Sequence, residues 1–191
     1  RRILPQFRAC TVASCKEEMY LQKIAPCYTR IQLIPNCISL SDYAGVAASP
    51  QPFTFVFTGS LSYGPNYTGM VWFLREVFPL IRARIPRARV IITGDHADLP
   101  LPECDSVTLT GLVDDVRPIV ASSWISLAPI LRGGGTRLKI LEAMALRTPV
   151  VATWKGAEGI EAQNGEHLLI GDQPAEFAEA VVRLCCDSNL R

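Results

Sequence analysis

From Phe53 onward the chain alternates between short apolar runs and stretches whose apolar residues recur at helical spacing. Phe53–Thr58, Arg89–Thr93, Val107–Thr110, Trp124–Ile130, Pro149–Ala152 and His167–Ile170 read as strands. Met70, Phe73, Leu74, Val77, Phe78 and Ile81 mark a helix that buries one broad stripe, with Pro79 predicting a bend or a local irregularity. Further helices are expected over residues 114–122 with Asp114 as cap, over Arg137–Arg147, and from Pro174 to about Cys186. Before this region, residues 10–14 read as a short strand, and Ser14 with Glu17 forms a capping box for a helix over Cys15–Ile24. Pro26 ends that helix, Ile31–Ile34 reads as a second short strand, and residues 39–52 lose periodicity as a linker does. Strands alternating with helices imply an α/β domain, a parallel sheet covered on both faces. Ligands of such sheets sit beyond the carboxyl ends of the strands. Gly59, Gly94, Gly111 and the Gly133–Gly135 run all fall there.

Bulk properties narrow the chemistry. A hydrophobic content of 49% supports a sizeable core, and 19 basic against 18 acidic residues leave no global field for nucleic acid or acidic lipid. Any anion site must be local. The seven cysteines contain no Cys-x-x-Cys pair, and the two histidines, His96 and His167, form no metal-type spacing with them, so free thiols are expected. Asp95 and Asp98 lack a third ligand, and no metal is predicted. No apolar run is long enough for a membrane span. The start, Arg1-Arg2-Ile3-Leu4-Pro5, has neither an initiator Met nor a signal-type stretch, which is expected of a fragment.

The strongest chemical signal is Pro129-Ile130-Leu131-Arg132-Gly133-Gly134-Gly135-Thr136-Arg137-Leu138-Lys139. Glycines let a backbone approach a ligand closely, and the unpaired N–H groups opening a helix suit a phosphate. With Thr136 as cap, Arg137 and Lys139 enter the first turn, where cations are disfavoured unless an anion sits nearby. Glu142 follows on the same helix side. The bland alternative is a glycine-rich turn with a solvated basic end and Glu142 paired to Lys139. No Walker A loop occurs, and Leu138 stands where a dinucleotide fingerprint needs its third glycine. A serine nucleophile elbow is absent too, and no catalytic residue is assigned.

Gly135-Thr136-Arg137-Leu138-Lys139-Ile140-Leu141-Glu142-Ala143-Met144-Ala145, then Thr148–Thr153 and Gly156–Ile160, resemble the donor-binding half of a GT-B retaining glycosyltransferase of the nucleotide-sugar-dependent group 1 family. Phe57–Asn66 resembles the first strand and loop of that half, and Ile34-Pro35-Asn36 its linker signature, with Cys37-Ile38 where Gly-Val is usual. The resemblance is patchy over 8–45 and nearly continuous over 53–184. It implies a Rossmann-like donor domain over 53–191, a linker over 39–52, and in residues 1–38 the tail of an acceptor domain most of which is absent.

The resemblance also implies roles. Glu142 would bond the donor ribose hydroxyls. Gly59, Ser60, Gly134, Gly135 and Thr136 would approach the diphosphate, with Lys139, Arg137 and Arg132 as the available cations. Gly111, Leu112 and Val113 would face the nucleobase. The family usually carries a second Glu near the transferred sugar, and Gly134 stands at that position. Asp114 reads as a cap, Glu158 as a turn carboxylate in preference to a donor contact, and His96, at a strand end, as a surface-loop residue in preference to a ligand contact. The implied function is transfer of a sugar from a nucleoside-diphosphate sugar to an acceptor hydroxyl, with the donor as co-substrate and no cofactor. The acceptor would be a carbohydrate or lipid-linked sugar held by the missing domain, as in polysaccharide biosynthesis. A cytoplasmic location follows, with room for peripheral attachment at the inner membrane face in the full-length protein. Two alternatives remain open: a nucleotide-sugar epimerase of the same fold, and a non-catalytic nucleotide-binding or interaction module. Neither nucleic acid nor a transmembrane segment is expected.

Overall fold

The computed structural model describes residues 3–134 and 137–191. Two parallel sheets organise them. The smaller pairs β1 (Cys10–Val12) with β2 (Ile31–Leu33), joined through α1 (Cys15–Ile24). Ser14 caps α1 by accepting the Glu17 N–H at 3.3 Å, but the Glu17 carboxylate reaches one residue further back than a capping box would, to the Ala13 N–H.

The larger sheet holds β3 (Gln51–Thr58), β4 (Arg89–Thr93), β5 (Val107–Gly111), β6 (Ser123–Ala128), β7 (Val150–Ala152) and β8 (Leu169–Ile170). Its spatial order is β5-β4-β3-β6-β7-β8, all parallel. Counting from β3, this is the doubly wound order, and its reversal between β3 and β6 opens a crevice beyond their carboxyl ends. β3 is buried on both faces. Phe55 and Phe57 pack with Phe73, Ile81 and Phe177 on one side, and Val56 packs with Val120, Ile140 and Ala143 on the other. That arrangement explains why β3 reads as a continuous apolar run instead of an alternating one.

The helices are α2 (Gly64–Trp72), α3 (Phe78–Arg84), α4 (Arg117–Ser122), α5 (Leu138–Ala145) and α6 (Pro174–Cys186). The irregularity expected at Pro79 is a wide π-helical turn over Phe73–Val77 between α2 and α3. Pro79 lies in the opening turn of α3, where it has no helical N–H bond to lose, and the wider turn lets the apolar stripe continue across the break.

Three expectations are corrected. Residue 114 is not the α4 cap: Asp115 is the residue that accepts the Arg117 N–H, at 2.9 Å, because α4 starts at Arg117. β3 begins at Gln51, inside the stretch read as linker, and reaches its core register through an irregularity at Phe53, whose φ is +59°. That linker stretch also contains a 3-10 turn, Leu40–Tyr43. Finally, α5 starts at Leu138 with Arg137 as its N-cap residue, so only Lys139 of the two cations lies within the first turn. Gly135 and Thr136, the expected phosphate-loop glycine and helix cap, lie outside the described residues.

Candidate functional site

A cleft of about 510 Å³ opens at the carboxyl ends of the strands, where the sheet order predicts it. β3 delivers Gly59 and Ser60, the segment after β5 delivers Leu112 and Val113, and α5 delivers Arg137, Lys139 and Glu142. Two glycines let the ends of β3 and β4 close the cleft floor. A Cβ on Gly94 (φ +103°) would sit 2.8 Å from the Gly59 carbonyl carbon, and one on Gly59 (φ +132°) would sit 3.1 Å from Lys139 Nζ.

Lys139 is held at the first turn of α5. Its ammonium lies 3.9 Å from the Phe57 ring centroid and donates to Asn66 Oδ1 at 3.3 Å. Asn66 is fixed in turn by donating from Nδ2 to the Ser60 carbonyl at 2.7 Å. Burial of the ammonium, followed by the neighbouring Arg137 charge, pulls the Lys139 pKa down to about 7, with Glu142 opposing the shift. Arg137 is only 8% exposed. Its Nη1 donates to the Gly134 carbonyl at 3.0 Å, while its buried Nε and Nη2 have no partner among the described residues. An unpaired buried donor is destabilising by about 1–3 kcal/mol, more when charged. Two crowded cations, one with idle donors, at the positive end of a helix form a strained arrangement that an anion relieves.

One turn further along α5, the Glu142 carboxylate accepts the Tyr43 hydroxyl at 3.3 Å; this bond replaces the pairing with Lys139 that the bland alternative required. The carboxylate keeps acceptor sites free for further hydroxyls. Leu112 is 82% exposed and Val113 36% exposed, so an apolar ledge lies open at the β5 edge. Gly111 stands just behind this ledge and donates its N–H to His96 Nε2 at 2.9 Å. His96 therefore braces the β5 exit from the loop after β4, where it is half-buried.

A model of the glycosyl transferases group 1 family matches residues 52–187. The chain belongs to this family. A curated relative, an uncharacterized 44.6 kDa protein in the cps region of Klebsiella pneumoniae, is 27% identical over 138 residues, 66% of this chain and 36% of that protein. Among solved structures, Anabaena HepE in complex with UDP and glucose superposes with TM-score 0.74 at 15% identity, covering 99% of this chain and 56% of HepE. A Staphylococcus aureus TarM variant in complex with UDP, fondaparinux and a GlcNAc-glycerol has TM-score 0.73 at 14% identity, covering 98% of this chain and 39% of TarM. WaaG, a glycosyltransferase involved in lipopolysaccharide biosynthesis, has TM-score 0.68 at 17% identity, with 95% of this chain and 54% of WaaG covered. The chain thus spans about a third of the curated relative and about half of HepE. Its fold is the α/β Rossmann-like fold of the GT-B glycosyltransferases.

Within this glycosyltransferase module the cleft gathers Gly59, Ser60, Leu112, Val113, Arg137, Lys139 and Glu142, while Arg132 and Gly134 lie outside it. Arg132 is exposed and does not line the cleft. Gly134 lines a smaller hollow of about 200 Å³ beside Ser14, Lys16 and Glu158. Glu158 is a turn carboxylate gripped by Lys155 and Lys16, which hold its pKa below the usual range. The Asp95 carboxylate accepts the Ala97 N–H within its own turn. Among the described residues no group of three His, Cys, Asp or Glu is placed to hold a metal, and no helix is long and apolar enough to cross a membrane. The seven cysteines are free thiols, and burial pushes Cys185 up to about 12. Asn66 and Tyr43 escape the sequence reading. A buried Asn in the opening of an apolar helix is a usable signal for the first, whereas Tyr43 sits in a stretch without periodicity and carries none.

Proposed function

We propose that the cleft binds a nucleoside-diphosphate sugar, and that the full-length enzyme transfers its sugar to an acceptor hydroxyl with retention at the anomeric carbon. The observation that carries this reading is the Arg137 guanidinium, buried in the cleft with Nε and Nη2 unpaired among the described residues. The diphosphate lies against Arg137 and Lys139, the ribose hydroxyls on Glu142, and the base against Leu112 and Val113 beside Gly111. As the anomeric carbon–oxygen bond breaks, negative charge grows on the departing diphosphate. Fixed cations in a partly dry site stabilise that charge without reorganising. The backbone at Gly59 and Ser60 completes the diphosphate wall.

We assign residues 53–191 to this donor unit and residues 1–38 to a second, acceptor-binding unit, with 39–52 between them. The separate β1–β2 sheet and α1, whose residues Met19 and Tyr20 are 69% and 63% exposed, support a unit that buries little surface by itself. The acceptor is a carbohydrate or a lipid-linked sugar, in line with a relative from a cps region and with WaaG. Peripheral association with the inner membrane face fits such an acceptor.

Thermal-shift titration with UDP, GDP and ADP tests the donor reading. One of the three should stabilise the protein, and inorganic phosphate at equal concentration should do so less. No shift with any nucleotide at millimolar concentration would remove the proposal.

A further inference from the structure

We propose that Tyr43 is a positioning residue of the nucleotide site, its hydroxyl orienting the Glu142 carboxylate toward the ribose and so coupling the 3-10 turn between the two sheets to nucleotide binding. This rests on the reading of Glu142 as the ribose ligand. The geometry points to it in three steps. The Tyr43 hydroxyl donates to Glu142 Oε1 at 3.3 Å, across 99 residues of sequence. A carboxylate end turns freely about a broad, two-fold torsion, so one fixed donor on Oε1 narrows its orientations while Oε2 stays open to vicinal hydroxyls. Orientation set before binding reduces the ordering that the ligand must impose.

The turn carrying Tyr43 is itself braced. The Asp42 carbonyl accepts Nη1 of Arg117, and Arg117 is gripped by Asp115 through Nε at 2.8 Å and Nη2 at 2.9 Å. Arg117 opens α4 directly after the segment that brings Leu112, Val113 and Val116 to the cleft. The turn therefore touches the ribose carboxylate and the base-side segment together. Burial first, and the Glu142 charge next, raise the Tyr43 pKa, which keeps its hydroxyl a donor at working pH. Phenylalanine would fill the same space and supply no donor.

The test is calorimetric titration of the 191-residue chain with whichever of UDP, GDP and ADP binds most tightly, using wild type, Tyr43→Phe, Glu142→Ala and the double variant. Tyr43→Phe should weaken binding about three- to tenfold, the size of one ordinary hydrogen bond, because the residue orients the ribose ligand without touching the nucleotide. The loss should vanish with the 2′,3′-dideoxy form of the same nucleotide and in the Glu142→Ala background, and inorganic pyrophosphate should bind both proteins alike. An unchanged affinity overturns the proposal. So does tighter binding, which would make Tyr43 a competitor of the ribose, and so does equal weakening of every ligand, which would make it structural. If Glu142→Ala weakens binding and Tyr43→Phe does not, only the Tyr43 role falls. If Glu142→Ala is neutral as well, or no nucleotide binds, the ribose reading falls with it.

Discussion

Arg137 and Lys139 crowd together at the start of α5, and the cost of that crowding can be measured at each residue. Removing an unpaired buried charge tends to stabilise a fold, while removing a ligand's partner weakens binding. Arg137→Met should therefore keep or raise the melting temperature and weaken nucleoside-diphosphate binding at least about tenfold, since charge-assisted bonds are the strong ones. A lower melting temperature with unchanged affinity would make Arg137 a structural residue. For Lys139, the folded pKa of about 7 lies below its ordinary 10.5, so the unfolded chain holds more protons between those values. Stability from this group then rises with pH across that window, and the full penalty applies below it. Lys139→Met should melt higher than wild type at pH 6, with the gap closing toward pH 10. A bound diphosphate holds the ammonium charged, so binding at pH 8 should take up a proton in wild type and not in Lys139→Met. Titration in buffers of different ionisation heat reads that uptake directly. Glu142→Ala should weaken the nucleotide by about 1–3 kcal/mol, the loss of hydrogen bonds to a charged group, and should leave the fold intact.

At the scale of elements, packing between backbones constrains the cleft as tightly as the side chains do. A Cβ on Gly69 of α2 would stand 2.1 Å from the Pro129 carbonyl oxygen, so α2 lies directly on the exit of β6 that feeds the 131–137 segment. Gly69→Ala should destabilise the protein by at least about 1–3 kcal/mol in urea denaturation, the usual penalty for overpacking, because a backbone atom cannot rotate away. The strands and helices were largely legible in the sequence, since Phe55 to Phe57, Val90 to Ile92 and the stripe from Met70 to Ile81 show their periods whatever surrounds them. What escaped was set by contacts between particular side chains that no local period announces. The π turn before Pro79 is chosen by the need to keep Phe73 and Phe78 on one core. Asp114 does not cap α4 because the helix starts two residues later than its position suggests, with Val116 at the N-cap and Asp115 gripping Arg117. The site divides in the same way: Glu142, Lys139 and Arg137 announce themselves by charge around a glycine run, while Tyr43 and Asn66 matter only once folding brings them to Glu142 and Lys139.

For the whole molecule, we propose nucleotide binding by residues 53–191 and catalysis in a cleft with a second wall. The 191-residue chain should bind a nucleoside diphosphate and transfer no sugar by itself, a pairing that a coupled nucleotide-release assay checks. Transfer by this chain alone, free of contaminating enzyme, would contradict the two-unit assignment. The most direct test of the central claim is a crystal structure of the chain with its preferred nucleoside diphosphate. Diphosphate oxygens should lie within hydrogen-bond reach of Arg137 Nε, Arg137 Nη2 and Lys139 Nζ, with both ribose hydroxyls on Glu142. A nucleotide found instead in the separate cleft of about 520 Å³ between Ser14 and Met144, with Arg137 still unpaired, would contradict it.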